Sequence, residues 1–147
     1  MSSKLKIVID ACCHIPNAHI KGRVGKGFSA CGVLFIDEYG EIVSEQSKYL
    51  GEMTVPEAEF NGLVFALDKA AEHTRDNLEI WMDSELIIRW MNGTYRMRKN
   101  HIKSLYDEVK KMEGRYKKVE YFHHPGSTPL AQQADKIANK EYQKHRS

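Results

Sequence analysis

Apolar residues along this chain fall in short bursts whose period switches from that of a strand to that of a helix and back. Leu5-Lys6-Ile7-Val8-Ile9 is a compact apolar run that predicts a strand ending at Asp10. Residues 14–27 contain Pro16, Gly22, Gly25 and Gly27 with few apolar anchors, and predict a loop. Phe28–Ile36 and Glu41–Leu50 predict two further strands joined by the turn Asp37-Glu38-Tyr39-Gly40. The period then changes. Thr54-Val55-Pro56-Glu57 matches a capping box with Pro56 at the first helical position, and the helix it opens is expected to reach about His73.

Leu78–Met82 predicts a fourth strand, followed directly by Asp83. Ser84 can cap a short helix whose Leu86, Ile87, Trp90 and Met91 form one apolar stripe, with Gly93 stopping it. A helix over roughly Ile102–Met112, a strand over Val119–Phe122 and a last helix from Pro129 toward Tyr142 complete the chain. The order β-β-β-α-β-α-α-β-α defines an α/β protein. Its five-stranded mixed sheet begins antiparallel, continues through βαβ crossovers and is flanked by helices.

A length of 147 residues suits one domain over residues 1–147, and 41% hydrophobic with 29% charged residues is ordinary for a globular chain. No apolar stretch approaches the ~20 residues that would cross a bilayer. Met1-Ser2-Ser3-Lys4 leads straight into the first strand without a signal-peptide pattern. The expectation is a cytoplasmic protein with no membrane attachment.

The net charge of +2 diagnoses no nucleic-acid partner, but its distribution is uneven. Arg96, Arg98, Lys99, His101 and Lys103 form one cluster, and Lys110, Lys111, Arg115, Lys117 and Lys118 another. Such clusters can neutralise phosphates, and they can equally be solvated faces beside helices. Cys12, Cys13 and Cys31 make no disulfide framework, being odd in number with two adjacent. A zinc site at Cys12, Cys13 and His14 lacks a second pair at ligand spacing, so core packing is the better reading. Residues 22–27 (GRVGKG) lack the hydroxyl residue after the lysine and continue into a strand, which disqualifies them as a phosphate-binding loop.

Four acids do not fit the apolar pattern around them: Asp10, Glu59, Asp83 and Asp135. If the first and fourth strands run parallel and adjacent, Asp10 and Asp83 emerge at one sheet edge, where α/β folds place ligands. Glu59 has Gly62, Leu63 and Ala66 at i+3, i+4 and i+7, so it shares the face that packs on the sheet. Glu57, the rival acid, is committed to the cap. Asp135 follows Ala134 on a final helix whose inward stripe includes Leu130, Ala134, Ile137 and Ala138. Each acid alone has an ordinary explanation as a turn residue or a solvated helix position. Gathered together they would repel one another unless a cation lay between them, and oxygen-only ligands suit Mg²⁺ or Mn²⁺ rather than zinc.

Four segments, in order, resemble ribonuclease HI in its compact form without a basic handle helix. They are Ile7-Val8-Ile9-Asp10, residues 56–63 (PEAEFNGL), Met82-Asp83-Ser84-Glu85-Leu86 with Asn92-Gly93-Thr94-Tyr95 downstream, and residues 134–139 (ADKIAN). The resemblance implies a ribonuclease H-like fold and hydrolysis of the RNA strand of RNA–DNA hybrids by two Mg²⁺ ions, with Mn²⁺ as a substitute. Products would carry 5′-phosphate and 3′-hydroxyl ends. By the same mapping Asp10 bridges both ions, Asp135 helps hold the ion that activates water, and Glu59 and Asp83 hold the leaving-group side. Thr54 matches a DNA-phosphate contact, Asn17 a contact to the RNA 2′-hydroxyls, and Arg96, Arg98 and Lys99 the hybrid backbone contacts. Val55 and Pro56 replace the asparagines that often follow the threonine in the family. His123 and His124 are candidates for the loop histidine that aids product release, His124 being the one assigned to catalysis. The expected protein is a monomer with no obligate protein partner. The alternatives are a related nuclease acting on another duplex such as double-stranded RNA, and a catalytically silent hybrid-binding module.

Overall fold

The computed structural model describes residues 3–15, 25–93 and 100–145. Five strands, β1 (Lys4–His14), β2 (Gly27–Ile36), β3 (Ile42–Met53), β4 (Asn77–Met82) and β5 (Lys118–His123), form one sheet in the order β3-β2-β1-β4-β5. The hairpin β1-β2-β3 is antiparallel, while β4 pairs parallel to β1 and β5 parallel to β4. Four helices accompany it: α1 (Val55–Ala70), α2 (Glu85–Met91), α3 (Asn100–Glu113) and α4 (Pro129–Lys144). The mixed five-stranded sheet expected from the hydrophobic pattern is the one observed.

Side chains alternate across the sheet, and that alternation builds two cores of unequal size. On one face Leu5, Ile7 and Ile9 of β1, Val33 and Phe35 of β2 and Leu78, Ile80 and Met82 of β4 pack against Phe60, Leu63 and Leu67 of α1. The α2 residues Ile87, Ile88, Trp90 and Met91 close this core, with Trp90 stacked over Phe60 at 5.8 Å. On the other face Val8, Leu34 and Ile36 meet Ala134 of α4, flanked by Trp81, Leu130 and Ile137. Here α4 crosses β2 at Gly32, a position with no side chain to hold the helix away.

Several boundaries differ from the sequence reading, each for a local reason. Asp10 does not end β1. The parallel ladder with β4 stops at Ile9↔Met82, but β2 supplies partners as far as His14↔Phe28, so β1 continues four residues past Asp10. His14 and Gly27, assigned to a loop, are therefore strand residues. Thr54 caps α1 as expected: its hydroxyl accepts from the Glu57 N–H, and the Glu57 carboxylate accepts from the Thr54 N–H at 2.9 Å. The helix begins at Val55, which places Pro56 second, and it gives way to a turn after Ala70 rather than at His73. In α2 the buried stripe takes Ile88 in place of Leu86, which is 43% exposed.

Candidate active site

Asp10 stands where β4 has left the side of β1. Its register partner on β2 is Gly32, and its parallel neighbour would be the residue after Met82, which is Asp83. Strand alternation puts Asp10 on the α4 face together with Val8, so its carboxyl points toward the helix that carries Asp135. The two side chains hydrogen-bond directly. Two carboxylates in that relation need a proton or a cation between them.

The electrostatics record the crowding. The Asp10 carboxyl is pushed up to about 8, first by burial, then by its bond to Asp135 and by the charges of Asp83, Asp135 and Glu59. Glu59 is also raised, chiefly by burial, with Asp83 adding to the effect and a hydrogen bond from Ser84 opposing it. That bond ties α1 to the β4–α2 junction, because Ser84 also caps α2 through the Ile87 N–H at 3.4 Å. The other three sequence-predicted acids, Glu59, Asp83 and Asp135, thus all act on a single carboxyl, that of Asp10. Among the described residues, no three His, Cys, Asp or Glu side chains already form a metal-ligating set. The acids share a field and one direct contact rather than a finished coordination sphere.

The segment after β5 runs beside Asp83, which is exposed. A side chain at Gly126 would come within 3.1 Å of Asp83 Oδ2, so glycine lets this loop lie against the carboxylate. His123 Nε2 donates to the Asp83 carbonyl at 3.1 Å. His124 is different: its backbone N–H bonds the Met82 carbonyl, while its ring is 7% exposed and lies 6.1 Å from the Trp81 ring. Nε2 of His124 is buried with no hydrogen-bond partner in the described structure. Burial holds this imidazole below the usual histidine range, against a smaller opposing pull from Asp83.

Two residues near Asp135 had no part in the sequence reading of the site. Asn139 donates from Nδ2 to both the Asp135 carbonyl, at 2.9 Å, and Asp135 Oδ1, at 3.0 Å. His14 Nε2 lies 3.2 Å from Asn139 Oδ1, and its ring stacks on Tyr142 at 3.9 Å. The i, i+4 spacing of Asp135 and Asn139 was a usable signal for the first contact. The second depended on β1 extending to His14. Cys12 and Cys13, being consecutive in a strand, point to opposite faces. The Cys12 thiol is pushed up to about 11 by burial, with Asp10 and Asp135 contributing. Asn17, Arg96, Arg98 and Lys99 lie outside the described residues.

Comparison with known proteins bears on the family and the fold. A model of the family described as reverse transcriptase-like matches residues 19–141. The bifunctional protein Rv2228c of Mycobacterium tuberculosis is 24% identical over 136 residues, 92% of this chain and 35% of that protein. Ribonuclease HI of Halobacterium salinarum is 32% identical over 73 residues, half of this chain and 37% of that protein. The chain therefore spans little more than a third of the curated relatives it matches. Among solved structures, LC11-RNase H1 in complex with an RNA/DNA hybrid superposes with a TM-score of 0.81 at 26% identity, covering 97% of this chain and 99% of the other. The chain belongs to the reverse transcriptase-like family, within its ribonuclease HI group. Its five-stranded mixed sheet with flanking helices is the fold the sequence pattern describes.

Proposed function

We propose that this chain is a divalent-metal-dependent endoribonuclease that hydrolyses the RNA strand of RNA–DNA hybrids, leaving 5′-phosphate and 3′-hydroxyl ends. The observation that carries the reading is the state of Asp10: a half-buried carboxyl, hydrogen-bonded to Asp135, that burial first and then three other acids push up to about 8. A fold gains nothing in stability by gathering like charges. The donor set is oxygen only, which fits Mg²⁺ or Mn²⁺. The hybrid as substrate is supported by the likeness to LC11-RNase H1, whose structure holds an RNA/DNA hybrid.

Asp10 would hold a central position, with Asp135 on one side and Asp83 and Glu59 on the other. A bound pair of divalent ions would supply water activation and stabilisation of the departing oxygen for in-line displacement at phosphorus. The chain's own contributions are positional. Ser84 orients Glu59, and the Gly126 segment lies beside Asp83. His124, whose imidazole burial holds below the usual histidine range while the charge of Asp83 pulls the other way, would take up a proton as product leaves. Thr54 would contact a DNA phosphate beside its capping role. Arg96, Arg98 and Lys99 would meet the hybrid backbone, and Asn17 the RNA 2′-hydroxyls.

The test offers end-labelled RNA–DNA hybrid, double-stranded RNA and double-stranded DNA to the protein with Mg²⁺, Mn²⁺ or EDTA. Cleavage confined to the RNA of the hybrid and abolished by EDTA is expected. Metal-independent binding without cleavage of any duplex would leave a silent binding module instead.

A further inference from the structure

The outward face of β1 and one stripe of α4 run alongside each other for some distance beyond the acids. On β1 the residues facing α4 are Asp10, Cys12 and His14, spaced by the strand period of two. On α4 the matching residues are Asp135, Asn139 and Tyr142, spaced at i, i+4 and i+7. Asp10 to His14 spans about 13 Å at the strand rise of ~3.3 Å, and Asp135 to Tyr142 about 10 Å at the helical rise of ~1.5 Å. The two rows therefore stay nearly in step. Asp10 meets Asp135 at one end, and His14 meets both Asn139 and Tyr142 at the other.

The hydrogen-bond directions along this row follow from chemistry. An ionised Asp135 can only accept, so the Asn139 group that bonds Oδ1 is its amide NH₂. The remaining Asn139 oxygen can only accept, so His14 presents Nε2–H to it. The His14 ring is fixed in turn by its stack on Tyr142. The chain of donors runs one way, from a ring anchored on α4 through an amide to one oxygen of Asp135. It leaves the second carboxylate oxygen to whatever lies beside Asp10.

We propose that Asn139, braced from behind by His14, is the positioning residue that orients the Asp135 carboxylate for divalent-ion binding opposite Asp10. This rests on the metal-dependent reading given above. Without the brace, Asp135 would be free to turn outward, since it sits at an exposed helix position. Groups that orient ligating carboxylates in this way have a recognisable effect when removed, namely weaker ion binding in an unaltered fold.

The experiment titrates Mn²⁺ into substrate-free protein by calorimetry, alongside the metal-free melting temperature. Asn139→Leu removes both the donor and the acceptor, and its Mn²⁺ affinity is expected to fall about tenfold or more. Its metal-free melting temperature should stay close to that of the unaltered chain. His14→Phe keeps a ring to stack on Tyr142 but loses the N–H, so a smaller loss in the same direction is expected. The double variant should bind no more weakly than Asn139→Leu alone, because His14 acts through Asn139. Unchanged Mn²⁺ affinity in Asn139→Leu, or full additivity in the double variant, overturns this inference and leaves the metal reading standing. Failure of the unaltered chain to bind Mn²⁺ overturns both.

Discussion

Gly32 lies directly beneath the backbone of α4, so that a side chain added there would stand 2.7 Å from the Ala138 nitrogen and closer still to the Ala134 carbonyl oxygen. Gly32 is also the register partner of Asp10. One position thus sets both the height of α4 above the sheet and the separation of Asp135 from Asp10. Gly32→Ala should force the helix outward, because both clashing atoms are backbone and cannot rotate away. Overpacking of this kind costs about 1–3 kcal/mol of stability. Hybrid cleavage measured well below the melting temperature should fall by more than the loss of folded protein accounts for. Stability lowered with specific activity intact would show that α4 seating does not govern the site.

The raised Asp10 carboxyl makes a directional prediction about pH. Its folded-state value of about 8 lies above the 3.8 of an unperturbed aspartate, so between those limits the folded protein holds a proton that the unfolded chain has released. Stability contributed by this group is complete below about pH 4 and is lost as pH rises through 8. His124 works in the opposite sense, since its lowered value makes stability fall as pH drops below the ordinary histidine range. Melting temperatures in EDTA from pH 5 to 8.5 should therefore show a decline in the unaltered chain that Asp10→Asn reduces. Adding Mg²⁺ or Mn²⁺ at pH 8 should restore stability to the unaltered chain and much less to Asp10→Asn. Parallel pH profiles for the two proteins would remove the electrostatic crowding from the account. Asp10→Asn should in addition abolish turnover.

His124 carries a buried nitrogen with no partner, which costs stability that a shape-matched apolar ring would recover. His124→Phe should leave the melting temperature unchanged or raised. If the imidazole serves turnover, steady-state cleavage should nonetheless fall by about 10²-fold, the usual scale of a lost proton carrier. A variant more stable and fully active would assign the ring to packing against Trp81 alone.

The architecture was legible because the apolar periods are clean and the helix signals are local. Thr54, Glu57, Ser84 and Pro129 each mark a helix start with chemistry confined to a few residues, and each start appears where expected within a residue. Asp10 and Glu59 were legible for a related reason, as charged residues on partly buried faces, whereas Asp83 and Asp135 are exposed and were legible only from the motifs around them. What escaped was set between elements. The extension of β1 past Asp10 depends on β2 offering partners up to Phe28, which no window around residues 10–14 reveals. With that extension hidden, His14 looked like part of a loop and its contact with Asn139 could not be inferred. Leu86 and Ile88 exchanged places because both satisfy a helical stripe, and only the packing against β5 and α1 chooses between them.

The most direct test of the central claim is diffraction from crystals of this protein grown or soaked with Mn²⁺ and recorded at a wavelength where manganese scatters anomalously. The account predicts two anomalous peaks roughly 4 Å apart among Asp10, Glu59, Asp83 and Asp135, with Asp10 touching both. Peaks elsewhere on the surface, with the Asp10–Asp135 contact undisturbed, would contradict it.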